Sequence, residues 1–168
     1  LEEIVSRVLS FARAPSALHS RWALAEILDD TLVLLRAKLA QAKVQLHYPA
    51  PARALLVDGN KGQLQQVVLN LALNSLAAMP QGGGLTVHCT EETRGGTRVV
   101  HVDLADTGGG IPDAIRPRIF ESFLSGRADG TGLGLAIAQR IVRDHHGDLT
   151  LASTGPRGTT MRITLPLL

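Results

Sequence analysis

Two amides and two glycine clusters stand in a fixed order along this chain, and they restrict its fold more than any other feature. Asn70 and Asn74 lie one helical turn apart on an otherwise apolar stretch. Asp106-Thr107-Gly108-Gly109-Gly110-Ile111-Pro112 ends a hydrophobic segment, and Gly130-Thr131-Gly132-Leu133-Gly134-Leu135 opens a second helical pattern. Each is common in isolation. Amides on a buried helix face, an acidic residue ahead of glycines and a glycine loop at a helix start are together the parts of a nucleotide pocket.

The rest of the chain is compatible with such a pocket. Its 168 residues fit one domain and suffice for a real core. Apolar residues make up 45%, which argues against disorder. With one Trp, one Tyr and three Phe, that core must be built from Leu, Val, Ile and Ala. Cys89 is the sole cysteine, which excludes an internal disulfide framework and fits a reducing compartment. No apolar stretch is long enough to span a bilayer, and the N-terminus lacks a signal-peptide layout. A formal charge of +2 with few aromatics gives no basis for binding nucleic acid. The expectation is a cytoplasmic domain, or a piece of a larger and possibly membrane-anchored protein.

Leu1 to Arg13 reads as a helix with Leu1, Ile4, Val8 and Phe11 at coiled-coil spacing, ended by Pro15. It is expected to be the tail of a longer helix or, alternatively, a terminal helix packed on its own domain. Ala23 to Ala42 is a second helix, with Leu24, Ile27, Leu28, Leu32, Leu35 and Leu39 on its apolar face. Val44 to Tyr48 alternates like a strand, and Ala54 to Val57 reads as a short buried one. Lys61 to Met79 is a third helix, closed by Pro80 and Gly82-Gly83-Gly84. Leu85–Glu92 and Thr97–Ala105 form a hairpin around Gly95-Gly96. Gly132 to His145 is a fourth helix, followed by a closing hairpin of Asp148–Ser153 and Thr159–Leu165. The predicted fold class is α/β: a two-layer sandwich of one mixed, mostly antiparallel sheet with helices on one face.

On a wheel at about 100° per residue, Gln63, Gln66, Asn70 and Asn74 share one narrow stripe of the third helix. Burying such amides unpaired costs about 1–3 kcal/mol each, so they either bond neighbouring backbone or line a ligand pocket. An Asn carbonyl is a hard oxygen suited to a Mg²⁺ ion that keeps most of its waters and leans on phosphate. Asp106, delivered by a strand, can accept a hydrogen bond from an exocyclic amine, while Gly108 and Gly110 let a flat base come close. An ordinary strand-to-loop turn is the alternative. A single Asp-Thr-Gly triplet, with no second carboxylate, makes a poor aspartic protease. At Gly130 to Leu135 the unpaired N–H groups of a first helical turn offer an anion site, or merely a structural turn. Neither the P-loop nor the dinucleotide fingerprint matches. The stretch from Arg116 to Asp129 suits a lid, with Arg127 either a phosphate partner or a solvated surface cation. His145-His146 lacks metal-ligand company, and is better explained by a helix C-terminus that favours partial positive charge and is closed by Gly147. No histidine is assigned to catalysis.

Asn70-Leu-Ala-Leu-Asn74, Asp106-Thr-Gly-Gly-Gly110, Phe120-Glu-Ser-Phe123 and Gly130-Thr-Gly-Leu-Gly-Leu135 resemble, in that order, the N, G1, F and G2 boxes of sensor histidine kinases. These belong to the ATP-binding superfamily of gyrase, Hsp90 and the mismatch-repair ATPases. His146-Gly147-Asp148 and Gly158 to Pro166 resemble its closing strands, and Leu9-Ser-Phe-Ala-Arg13 resembles the end of the dimerisation helix in nitrogen-regulation kinases. The likeness covers essentially the whole chain and divides it into a helix tail at 1–15 and a catalytic domain at 16–168. It implies the Bergerat-type fold, with ATP and Mg²⁺ as cofactors. Asn74 would hold Mg²⁺, with Asn70 supporting it or touching phosphate. Asp106 would read the adenine amine beside Gly108, Gly110 and Ile111. The backbone of Gly130, Thr131, Gly132, Leu133, Gly134 and Leu135 would hold phosphates, and Phe120 and Phe123 would anchor the lid.

The implied reaction is transfer of the ATP γ-phosphoryl group to a histidine on a dimerisation domain that this chain lacks, so the chain alone should not phosphorylate itself. The implied partners are that domain, a response regulator and a second copy in the full-length homodimer. The lid lacks the lysine often found after the second phenylalanine, with Arg127 as the candidate replacement. That departure leaves a pseudo-kinase docking module as an alternative. A stand-alone ATPase of the superfamily usually carries Glu just before the metal-binding Asn, where this chain has Leu73. A serine kinase of the anti-sigma type shares the pocket but not the dimerisation-helix tail.

Overall fold

The computed structural model describes residues 19–122 and 132–168. The elements, in chain order, are β1 (Ser20–Ala23), α1 (Leu24–Gln41), β2 (Val44–His47), β3 (Leu56–Gly59) and α2 (Lys61–Ala77). They continue with β4 (Gly83–Arg94), β5 (Thr97–Asp106), a 3-10 turn at Arg116–Arg118, α3 (Gly134–Asp144), β6 (Asp148–Gly155) and β7 (Gly158–Pro166). The expected helix at Leu1 to Arg13 lies outside the described residues.

Period-two alternation builds the main sheet. Five strands run in the order β2-β4-β5-β7-β6. β2 pairs parallel to β4, and every other pairing is antiparallel. Val100, Val102 and Leu104 of β5, with Met161, Ile163 and Leu165 of β7, are buried against Leu64, Val67 and Leu71 of α2 and Ile137 of α3. The opposite parity is polar, as an antiparallel sheet with one solvated face requires. There Arg162 donates two 2.7 Å hydrogen bonds to Asp103, and His101 sits 2.9 Å from Thr164 Oγ1 and 2.7 Å from Glu92 Oε2. The expected two-layer α/β sandwich is the fold observed.

Three details depart from expectation. The chain has a second sheet of two strands, with β1 antiparallel to β3 from Ser20↔Gly59 to Ala23↔Leu56. β3 therefore lies two residues later than the predicted Ala54–Val57, because its partner, not its own hydrophobicity, sets its register. β4 begins at Gly83, so two of the glycines expected to close α2 already belong to the strand, with Gly83 N–H donating to Lys43 O at 3.2 Å. Lys61, the first residue of α2, joins the small sheet to the helix layer. Its Nζ lies 2.6 Å from Glu26, 2.8 Å from Asp30 and 4.9 Å from the Trp22 ring centroid.

The end of α3 corrects the account of the paired histidines. His145 Nδ1 donates to Ile141 O at 2.7 Å, and Nε2 accepts from Asn60 N–H at 3.0 Å. That pair of bonds assigns a neutral ring with its proton on Nδ1. Burial lowers its pKa, so the buried ring caps the helix as a dipole and carries no positive charge. His146, at φ +58°, takes the left-handed position that was expected of Gly147. Gly147 is needed for space instead, since a methyl group there would lie 2.3 Å from Thr164 O.

Candidate nucleotide-binding site

Asp106 closes β5 and is 9% exposed. Its Oδ1 accepts from Gly108 N–H at 2.9 Å and from Thr159 N–H at 3.2 Å, across the strand pair where Asp106 and Thr159 face each other. Both bonds converge on one oxygen. Oδ2 takes neither, and so the carboxylate is oriented by the backbone while keeping an acceptor. The glycines fit this corner by close approach. A methyl group at Gly108 would lie 2.7 Å from Ala78 O at the end of α2. Gly110 has φ +81°, and a methyl group there would lie 2.3 Å from Gly155 O at the end of β6. Gly109 has nothing within 4 Å of that position and faces open space.

Around Asp106 the structure adds residues that the sequence did not single out. Ile111 N–H donates to Thr154 Oγ1 at 2.8 Å, and Thr154 Oγ1 lies 3.0 Å from Thr159 Oγ1. Thr107 Oγ1 accepts from Gly84 N–H at 3.0 Å and reaches Met79 Sδ at 3.6 Å, tying the corner to β4 and to the end of α2. The only sequence signal for the threonines was the hairpin glycine Gly158 ahead of Thr159. At φ +135°, a methyl group there would overlap Asp106 O.

α2 links this corner to the start of α3. Asn60 caps α2, with Oδ1 accepting from Gln63 N–H at 2.9 Å. The amide stripe is half-buried. Asn70 Nδ2 donates to Gly134 O at 3.1 Å, so this amide does bond backbone, but backbone of the helix that opens the second glycine motif. From Asn70 past Asn74 to Ala78 is about 12 Å along the axis at about 1.5 Å per residue. Asn70 thus meets the α3 terminus and Ala78 the Asp106 corner, with Asn74 one helical turn from each along α2.

Gly132 has φ +67°, Leu133 is 2% exposed, and the helix starts at Gly134, two residues later than expected. Among the described residues no side chain caps this terminus, and its first turn holds no acidic residue. Gly134 and Leu135 are half-buried there, while Phe120 packs partly buried on the core beyond the corner. Phe123, Arg127, Gly130 and Thr131 lie outside the described residues. Among the described residues no cluster of His, Cys, Asp and Glu could hold a metal, so a cation here would rest on amide oxygen and phosphate. Among them, too, no helix is long and apolar enough to cross a membrane. Burial, with the nearby Asp103 charge, pushes the Cys89 thiol up to about 11, which makes it a poor nucleophile.

Residues 59–168 match the family described as histidine kinase-, DNA gyrase B- and HSP90-like ATPase. The chain belongs to that family, and within it to the ATP-binding catalytic domains of two-component sensor histidine kinases. It is 35% identical over 164 residues to the C4-dicarboxylate transport sensor protein DctB of Rhizobium meliloti, a match covering 96% of this chain and 26% of DctB. It is 38% identical over 122 residues to the sensory histidine kinase/phosphatase NtrB of Azospirillum brasilense, covering 66% of this chain and 30% of NtrB. The chain thus spans about a quarter to a third of the length of these relatives. Among solved structures, the mycobacterial sensor histidine kinase MprB superposes with a TM-score of 0.74 at 28% identity, over 89% of this chain and 98% of that one. Full-length ShkA in complex with AMPPNP superposes with a TM-score of 0.81 at 26% identity, over 98% of this chain and 35% of ShkA.

Proposed function

We propose that this domain holds Mg-ATP between the Asp106 corner and the N-terminus of α3, and offers its γ-phosphate to a histidine on a dimerisation domain. The observation that carries the reading is the alignment of those two features along α2. A backbone-oriented carboxylate lies at one end, and a helix terminus tied to Asn70, with no side-chain cap among the described residues, lies at the other. Asp106 Oδ2 accepts the adenine amine, and the glycine backbone at Gly108 and Gly110 borders the base beside Ile111. The N–H groups of the first turn of α3 point at phosphate oxygens, favoured by the positive end of the helix dipole. Asn74, one helical turn from Asn70, would be the amide that meets the cation. Bound Mg²⁺ supplies neutralisation of the phosphate charge that develops during transfer. Transfer breaks the bond between the β- and γ-phosphates, forms a P–N bond on the acceptor imidazole and releases ADP. The chain's part is positioning and charge complementarity, with no covalent intermediate on its own residues.

In this reading the helix pattern at 1–15 is the tail of the dimerisation helix, the acting unit is a homodimer, and a response regulator receives the phosphoryl group. A homologous histidine kinase, ThkA, has been crystallised in complex with its response regulator TrrA. Calorimetric titration of ATP into the chain, with and without Mg²⁺ and beside Asn74→Ala, tests the proposal. Expected is Mg²⁺-dependent binding that the variant loses. No binding at millimolar nucleotide would overturn it in favour of a docking module of the same fold.

A further inference from the structure

The Asp106 corner is closed by a side chain that lies on neither glycine motif. Ile111 N–H donates to Thr154 Oγ1 at 2.8 Å, Thr154 Oγ1 meets Thr159 Oγ1 at 3.0 Å, and Thr159 N–H returns to Asp106 Oδ1 at 3.2 Å. Two threonines facing each other across the end of the β6–β7 hairpin thus complete a hydrogen-bonded ring around the loop from Asp106 to Ile111. We propose that Thr154 is a positioning residue for adenine selection, holding the glycine loop and the Thr159 hydroxyl in the arrangement that turns Asp106 Oδ2 toward the base. The inference rests on the nucleotide reading above and deepens it, naming a residue that acts through Asp106 without touching the ligand.

The chemistry of the hydroxyl explains why a threonine serves here. It has one proton and two acceptor lone pairs. One lone pair takes the Ile111 N–H, and either the proton or the second lone pair joins Thr159. A single group therefore fixes both the exit of the loop and the side chain facing Asp106. The loop is also anchored at its start, where Thr107 is tied to Gly84 and Met79. Gly109 faces open space and Gly110 sits in the left-handed region, so this segment gains no stiffness from side-chain packing of its own. The close approach of Gly110 to Gly155 O sets how near the two strands of backbone come. The Thr154 bond, together with the packing of the partly buried Ile111 side chain on the core, sets where Ile111 points along that contact.

Thr154→Val keeps the shape and removes both bonds, while Thr154→Ser keeps the hydroxyl. Calorimetry on the chain with Mg-ATP and with Mg-ITP, whose base lacks the exocyclic amine, separates positioning from general loosening. The expected result is about a tenfold loss of ATP affinity in Thr154→Val, with little change toward ITP, so that discrimination between the two shrinks. Thr154→Ser should bind like the native chain. Native-like ATP affinity in Thr154→Val, or an equal loss toward both nucleotides, would overturn the inference. Should the valine variant not fold, amide exchange on the native chain decides the tie: Ile111 N–H must be protected. Exchange as fast as that of the exposed Asp113 amide overturns it. Failure of the native chain to bind ATP would count against the functional proposal itself, with the Ile111 exchange still deciding whether the ring exists.

Discussion

At its C-terminus α3 is gripped from several sides, whereas its N-terminus has no side-chain cap among the described residues. His145 bonds both Ile141 O within the helix and Asn60 N–H at the head of α2, and its ring stacks on His19 at 4.9 Å between centroids. At the other end Leu133 occupies the cap position without a side-chain bond, and the first turn contains no acidic residue. Of the other two described helices, α2 is capped by Asn60 Oδ1 with no acidic residue in its first turn, and α1, whose N-cap Ala23 also makes no side-chain bond, gives its first N–H to Leu55 O at 2.8 Å with Glu26 in its first turn. A helix start whose donors have internal partners is structural. One whose cap residue offers no side-chain acceptor, on a helix anchored at its far end, suits an anion that comes and goes.

Filling the open terminus is the strongest way to break that comparison. Gly134→Asp places a carboxylate at the first helical position, where among the described residues the added Cβ would meet nothing nearer than Asn70 Cγ at 4.0 Å. The variant should bind ATP about tenfold more weakly while the ligand-free helix gains about 0.5 kcal/mol. Calorimetry and thermal melting check the two halves. Unchanged ATP affinity would put the phosphates elsewhere.

Removing the structural cap should do the reverse. Asn60→Ala leaves Gln63 N–H without its side-chain acceptor and should cost about 1 kcal/mol of stability in urea titration, with nucleotide affinity of the folded chain unchanged.

The gripped end is sharpened by acid. Burial first, and the neighbouring His19 second, lower the His145 pKa, while the bond to Ile141 O opposes them. Unfolding therefore takes up a proton once pH falls below the unfolded value near 6.5. Stability should be full above that value and decline as pH drops toward the lowered folded one, since the protonated ring can no longer accept from Asn60 N–H. The slope of unfolding free energy with pH, in the native chain against His145→Gln, measures this. Equal slopes would mean that the ring already carries its charge in the folded state.

α2 was legible because Leu64, Val67, Val68 and Leu71 repeat at helical spacing and four amides share the remaining stripe. The hairpin of β4 and β5 was legible from alternation around two glycines. β1 was not. Its four residues show no pattern that a neighbouring strand does not impose, and only pairing with β3 makes Ser20–Ala23 extended. At the site, Asp106 and its glycines stood out because acidic and glycine residues crowd into seven positions. Thr154 and Thr159 did not, since a threonine on a hairpin is ordinary and their value lies in facing Asp106 and Ile111 from another strand. His145 misled for a related reason. Its position at a helix end predicts charge, but the Asn60 N–H that requires a neutral ring comes from 85 positions away.

By itself the sequence determined the periodicities, the breakpoints and the places where backbone must come close, because these depend on residues near one another along the chain. Only the tertiary structure decided which oxygen of Asp106 is occupied, which amide of α2 meets α3 and which backbone N–H meets the His145 ring. Those follow from hydrogen bonds between segments far apart in sequence, and their directions do not exist until the sheet and helices have packed.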